Sequence, residues 1–322
     1  MKMAKRYVRR KIQLKIILAI LVIVLLPLLF VSCISMFTLF IAGGDEIEMA
    51  KSFDIPHGFL KDAYNRVEDY NDEVKKNKDK IDFLDVLVYS AGEANLQMED
   101  YTGEVLKIAM NRAIAEDKKS KLEEYIEEVL SKYLEDIETG PIPEKKIEKY
   151  KDEYIDPETG EEKTKTKKKI TEYTYSSIDD FGADRSYGGE RRHLGNDIMC
   201  DMGTPIVSMT DGVVDKMGWD ELGGWRIGIL TKKDTYFYYA HMSEYEENIE
   251  IGDKVRAEDV IGYVGDSGYG PMGTTGEFEP QLHLQIGIKL NENDDSFTWI
   301  NPYNIVKFMD DFRTVLGEDD DD

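Results

Sequence analysis

Near its start the chain carries an uncharged apolar run from Ile16 to Ala42, with seven basic residues between Lys2 and Lys15 before it and Asp45, Glu46 and Glu48 after it. As a helix, a run of about 27 residues is roughly 40 Å long against a hydrocarbon core of roughly 30 Å, so it spans a bilayer with tilt or a bend at Pro27. The basic flank puts the N-terminus inside and the rest of the chain outside. A cleaved signal peptide is the rival reading, but its apolar core is usually about 7–15 residues long. The pattern therefore predicts a single-pass cell-membrane protein, with a basic cytoplasmic tail over 1–15 and a transmembrane helix over 16–43.

Further along, the apolar positions change period twice. Leu122, Tyr125, Ile126, Val129, Leu130, Tyr133, Leu134 and Ile137 recur at three- and four-residue spacing, with Glu and Lys on the other face. This predicts a helical stalk or small helical domain over 44–140, able to dock a protein partner. Pro141 and Pro143 break the pattern. Over 141–176 charged residues alternate with Tyr, Ile and Thr on both sides of Asp156-Pro157-Glu158-Thr159-Gly160, which predicts a linker carrying a β-hairpin. Its Lys163–Lys169 run reads as a solvated strand face or as a contact for wall polyanions.

From Gly203 onward short alternating runs are separated by Gly and Asp turns: Pro205 to Met209, Val213 to Met217, Arg226 to Leu230 and Thr235 to His241. The last run, Gln281 to Lys289, puts Leu282, Leu284, Ile286 and Ile288 on one face and Gln281, His283, Gln285 and Gly287 on the other. The fold class expected is mainly β: a compact antiparallel β-domain over 177–309, preceded by the membrane helix and the helical segment with its hairpin, and followed by an acidic tail over 310–322.

The formal net charge of -24 excludes nucleic acid as a partner, because phosphate binding needs a basic surface. Of the two cysteines, Cys33 lies in the apolar run and Cys200 in the β-domain, so no disulfide framework supports the exterior domain.

Three of the four histidines fall in the β-domain: His193 in His193-Leu194-Gly195-Asn196-Asp197, His241 ending Tyr238-Tyr239-Ala240-His241, and His283 in Gln281-Leu282-His283-Leu284. A zinc ion that hydrolyses takes three N or O protein ligands and keeps one position for water. His193, Asp197 and His283 form such a set. His241 by itself reads equally as a core-edge imidazole bonded to backbone, and His57 has no role.

Taken in order, Gly189 to Ile198, Gly203 to Val214, Tyr239-Ala240-His241-Met242-Ser243, Gly252-Asp253-Lys254-Val255, Ile261 to Gly268, Leu282-His283-Leu284 and Asn301-Pro302-Tyr303 resemble successive signatures of the lysostaphin/LytM-like metalloendopeptidases. The resemblance implies an antiparallel β-domain with a groove holding Zn²⁺ on His193, Asp197 and His283, a catalytic imidazole at His241, and peptidoglycan peptides as substrate. One position departs from it. The family motif is His-x-His, and its first histidine is here Gln281, which accepts no proton near neutral pH. Two functions follow as expectations. One is a membrane-anchored zinc endopeptidase, slowed by Gln281; the other is an inactive, peptidase-like binding or scaffold module of the cell envelope.

Overall fold

The computed structural model describes residues 51–317 apart from 52, 158–160, 188 and 291–295, and the expected tail and membrane helix over 1–43 lie outside these residues. Among the described residues no helix is long and apolar enough to cross a membrane.

Four helices come first: α1 (His57–Glu73), α2 (Phe83–Glu93), α3 (Gly103–Ile114) and α4 (Lys121–Tyr133). Their starts are set by side chains that satisfy the unpaired amides of a first turn: Asp82 for α2, Thr102 for α3 and a Ser120/Glu123 capping box for α4. Helix α2 is buried from Val86 to Ala91 and is packed between α3 and α4. The periodic face of α4 buries Ile126, Val129, Leu130 and Tyr133, each worth about 1.5–3 kcal/mol of transfer free energy.

This layer docks onto the β-domain. Lys132 Nζ donates to the Lys289 carbonyl (2.6 Å), and Thr235 Oγ1 donates to the Lys132 carbonyl (2.6 Å). Buried Asp54 accepts from Asn301 (2.7 Å) and Asn304 (2.6 Å), and burial raises its pKa to about 6.

The predicted hairpin is present as β1 (Lys145–Ile155) against β2 (Glu162–Glu172), in register from Lys145↔Glu172 to Ile155↔Glu162. Both strands are largely exposed. The lysines of the 163–169 run meet acids across the ribbon, including Lys167 with Asp152 (2.5 Å) and Lys169 with Glu148 (3.5 Å).

The main sheet runs through β3 (Ser176–Ser177), β6 (Asn196–Met199), β13 (Gln281–Ile288), β10 (Thr235–Tyr245), β9 (Gly224–Leu230), β8 (Gly212–Asp220) and β11 (Lys254–Val255) as hydrogen-bonded neighbours. Strand β12 (Val260–Val264) pairs with β10 and with β7 (Pro205–Val207), while β14 (Thr298–Ile300) pairs with β13; a separate two-stranded ribbon joins β4 (Asp184–Arg185) to β5 (Arg191–Arg192). The alternation of β13 works as expected: Leu282, Leu284, Ile286 and Ile288 are fully buried, and His283 and Gln285 lie on the more open face.

After β14 the chain forms α5 (Tyr303–Phe308), a 3-10 turn (Met309–Phe312) and β15 (Val315–Leu316), which adds in parallel to β1. Arg313 ties this end to the hairpin base through the carbonyls of Ile142 (2.9 Å), Pro143 (2.6 Å) and Tyr173 (2.6 Å). Residues 310–317 are therefore built into the fold despite their acidic composition.

Candidate metal centre

The site begins with strand register. β6 and β13 are antiparallel with Asp197 directly opposite His283, so both side chains leave the same face of the sheet. His193 enters from the loop before β6, its backbone fixed by His193 N–H to the Ala183 carbonyl (2.8 Å) and Gly182 N–H to the His193 carbonyl (2.7 Å). Gly195 lets that loop close onto β13. A Cβ there would stand 2.4 Å from the Leu284 carbonyl oxygen and 2.8 Å from His283 Cε1.

Three donor atoms converge. His193 Nε2 is 3.2 Å from Asp197 Oδ1 and 3.0 Å from His283 Nδ1, and His283 Nδ1 is 2.8 Å from Asp197 Oδ1. Ligands at about 2.0–2.1 Å from a tetrahedral zinc stand about 3.3 Å apart, so this triangle fits the metal with little adjustment.

The atoms behind the donors fit it as well. His193 Nδ1 lies 3.1 Å from both the carbonyl and the carboxylate Oδ2 of Asp180, acceptors for an Nδ1 proton that would leave Nε2 to a metal. His283 Nε2 faces Gln285 Oε1 at 3.2 Å, which likewise leaves Nδ1 bare. Arg185 Nη2 spans Asp180 Oδ2 (2.6 Å) and Asp197 Oδ2 (3.1 Å), so one oxygen of Asp197 is held and the other faces the imidazoles.

Electrostatics follow from this packing. Burial alone favours a neutral Asp197, but hydrogen bonds from His193 and His283 outweigh it and hold the carboxyl far below the usual range. Burial also disfavours charge on His193, yet the Asp180 and Asp197 carboxylates raise its pKa to about 9. A proton and a metal cation thus compete for one electron-rich corner.

His241 borders the same groove without joining the triangle. It sits where the pairing of β10 with β9 shifts between Tyr239 and Met242, and its φ of +64° lies in the left-handed region, uncommon for a residue other than glycine. Its Nδ1 donates to the Ser267 carbonyl (2.8 Å), which leaves Nε2 for the groove, and its ring centroid is 5.8 Å from that of His283. Burial, with the neighbouring His283, lowers its pKa to about 4, so this imidazole is neutral at pH 7.

Gln281 is placed differently. It shares the His283 face of β13 but is only 8% exposed, makes no side-chain hydrogen bond among the described residues, and is not part of the groove wall formed by His193, Tyr238, His241, Tyr269, His283 and Gln285. The structure also adds residues that periodicity did not single out. Asp180, Arg185 and Ser267 act from irregular segments or short bridges, and Gln285 was legible only as a polar position two residues beyond His283 on the same strand face.

The model of Peptidase family M23 matches residues 191–295, a span holding all three donors, His241 and Gln281. The chain is 47% identical over 113 residues to the L-Ala–D-Glu endopeptidase of Bacillus subtilis (strain 168), covering 35% of this chain and 34% of that protein. It is 33% identical over 95 residues to lysostaphin of Staphylococcus simulans, covering 29% of this chain and 17% of that protein. The chain thus spans about a third of the length of the first of these relatives and about a sixth of the second. The solved structure of a lytM protein from Ruminococcus gnavus ATCC 29149 is 31% identical, with a TM-score of 0.57, over 78% of this chain and 88% of that one. The likeness therefore extends beyond the matched peptidase segment. With the His-Asp-His donor set in place for zinc, the C-terminal region of the chain carries a peptidase family M23 domain over residues 191–295.

Proposed function

We propose that the protein is a membrane-anchored zinc endopeptidase that hydrolyses peptide bonds in peptidoglycan outside the cell membrane. The observation that carries this reading is the triangle of His193, Asp197 and His283, each ligand already oriented by a neighbour. The apolar run Ile16–Ala42 with its basic flank supports the anchoring. Identity of 47% to an L-Ala–D-Glu endopeptidase favours stem peptides over glycine bridges.

His193, Asp197 and His283 would hold zinc, which when bound would supply a Lewis acid for the scissile carbonyl and lower the pKa of water. His241 Nε2, neutral and fixed by the Ser267 carbonyl, accepts a proton from the attacking water and returns it to the leaving amine. Gln281, nearly buried and off the groove wall, moves no proton, and a lost acid–base group typically lowers rate by about 10²–10⁴. Turnover is accordingly slow. The same groove without turnover is a peptide-binding module, the reading that Gln281 favours.

The test incubates full-length protein in detergent with purified peptidoglycan, with zinc or with chelator. New amino groups released only with zinc support the proposal; none with zinc bound moves the function to the binding module. Anchoring is tested separately, since protease added to intact, wall-stripped cells digests an outward-facing domain and spares an inward-facing one.

A further inference from the structure

We infer that Arg191 is an anion anchor in the groove and selects peptides carrying a free carboxylate beside the scissile bond, an inference that rests on the peptidase reading above. The groove has a volume of about 320 Å³, and its lining includes Arg191, Arg192, Asp220, Tyr238, His241 and His283. Two arginines at the mouth are notable in a chain of net charge -24.

Their surroundings separate them. Arg192 already has an acidic neighbour: its Nη1 pairs with Asp184 (3.2 Å) and donates to the Gly182 carbonyl (3.0 Å). Arg191 gives only Nε, to the Tyr187 carbonyl (3.3 Å), and has no carboxylate partner among the described residues. Both of its terminal nitrogens are therefore available as a two-pronged donor of the shape that binds a carboxylate.

Register aims this fork at the chemistry. Arg191 is directly opposite Arg185 in the β4–β5 ribbon, so the two side chains leave the same face, and Arg185 reaches Asp197. Arg185 is neutralised by Asp180 and Asp197, whereas Arg191 is not. The ribbon is held in place as well, since the Tyr187 ring stacks on Tyr269 with centroids 4.4 Å apart and its hydroxyl donates to the Tyr269 carbonyl. Asp220, the acid in the same lining, accepts from the Leu222 (3.0 Å) and Gly223 (2.9 Å) amides, and its charge repels an anion bound near it. A peptide therefore lies with its carboxylate toward Arg191.

Stem peptides supply such a group. A D-Glu linked onward through its side-chain carboxyl keeps a free α-carboxylate next to the amide that joins it to L-Ala. Amidation of that carboxylate removes the charge, and glycine bridges never had it.

The test measures binding of two synthetic stem peptides, identical except for an α-carboxylate or an α-carboxamide on D-Glu, to full-length zinc-loaded protein in detergent by calorimetry. We expect the acid peptide to bind about tenfold more tightly, and Arg191→Gln to bring the two within about twofold. Direct capture of the carboxylate by zinc also favours the acid peptide, so a preference that survives Arg191→Gln overturns the inference, as does equal binding by the wild type. Should Arg191→Gln fail to fold, salt decides on the wild type: a preference that shrinks severalfold from low to high ionic strength supports an exposed guanidinium anchor, and one indifferent to salt contradicts it. Cleavage is scored apart. An Arg191-dependent preference without cleavage removes the peptidase reading and leaves the anchor standing, while cleavage without preference does the reverse.

Discussion

The two sides of the groove are built to different standards. On the metal side every ligand has a partner that fixes its orientation: Asp180 behind His193, Gln285 behind His283 and Arg185 on the far oxygen of Asp197. Of the two residues proposed to handle protons only His241 is so held, by the Ser267 carbonyl, while Gln281 lies off the groove wall, is nearly buried and makes no side-chain hydrogen bond among the described residues. The contrast teaches that capacity to hold a metal and capacity to move protons are separable in one β-sheet. Register between β6 and β13 secures the first; the second, on the function proposed, rests on His241 at the irregularity inside β10 and on the start of β13.

The largest effect expected is on the metal side. Asp197→Ala leaves two imidazoles where three ligands are needed, so zinc measured by atomic absorption should fall from near one equivalent to near none, and activity with it. Zinc content unchanged by this substitution would reject the ligand set. On the other side Gln281→His returns an imidazole to the His283 face of β13. Peptide cleavage should rise by about 10²-fold, and His241→Ala should abolish cleavage in both backgrounds while zinc stays bound. A silent Gln281→His would mean that substrate positioning is lost together with the histidine.

A smaller effect is expected one step behind the metal. Asp180→Asn weakens the hold on the His193 Nδ1 proton, and zinc affinity by competition with a chelator should drop about 10- to 100-fold. An unchanged affinity would show that Asp180 only closes the loop.

How far this contrast could be read from sequence depends on periodicity. The β13 alternation, the α4 stripe and the hairpin about Asp156-Pro157 all have regular patterns, and all three elements are present. The ligands were legible because His193, Asp197 and His283 are the residue types zinc requires in ordered motifs. Asp180 and Arg185 were not, since they stand in an irregular stretch of polar residues where composition says only that the chain is exposed. Helix α1 falls inside the helical region expected over 44–140, though no apolar stripe marks it, since its buried residues are Phe59, Leu60, Ala63 and Val67 in a mostly polar sequence. The 310–317 segment looked like a solvated tail. Its anchor is one arginine, Arg313, bonding to backbone carbonyls far away in sequence.

The smallest expected effect concerns His241 and pH. Its folded pKa of about 4 lies below the ordinary 6.5, so the unfolded chain binds the extra proton first. Stability from the neutral buried ring is complete above pH 6.5 and is lost as pH falls toward 4. In urea unfolding with chelator present, the wild type should lose about 2 kcal/mol more than His241→Gln between pH 7 and pH 4.5. Equal losses would place His241 in solvent and undo the contrast between the two sides.

The most direct test of the central claim is mass spectrometry of peptidoglycan fragments after incubation with full-length, zinc-loaded wild-type protein and with Asp197→Ala. The account expects stem peptides cut by addition of water at one bond type, slowly in wild type and not at all in Asp197→Ala. Uncut peptides from a wild type that holds its zinc, and equally from Gln281→His across several wall chemotypes, would contradict it.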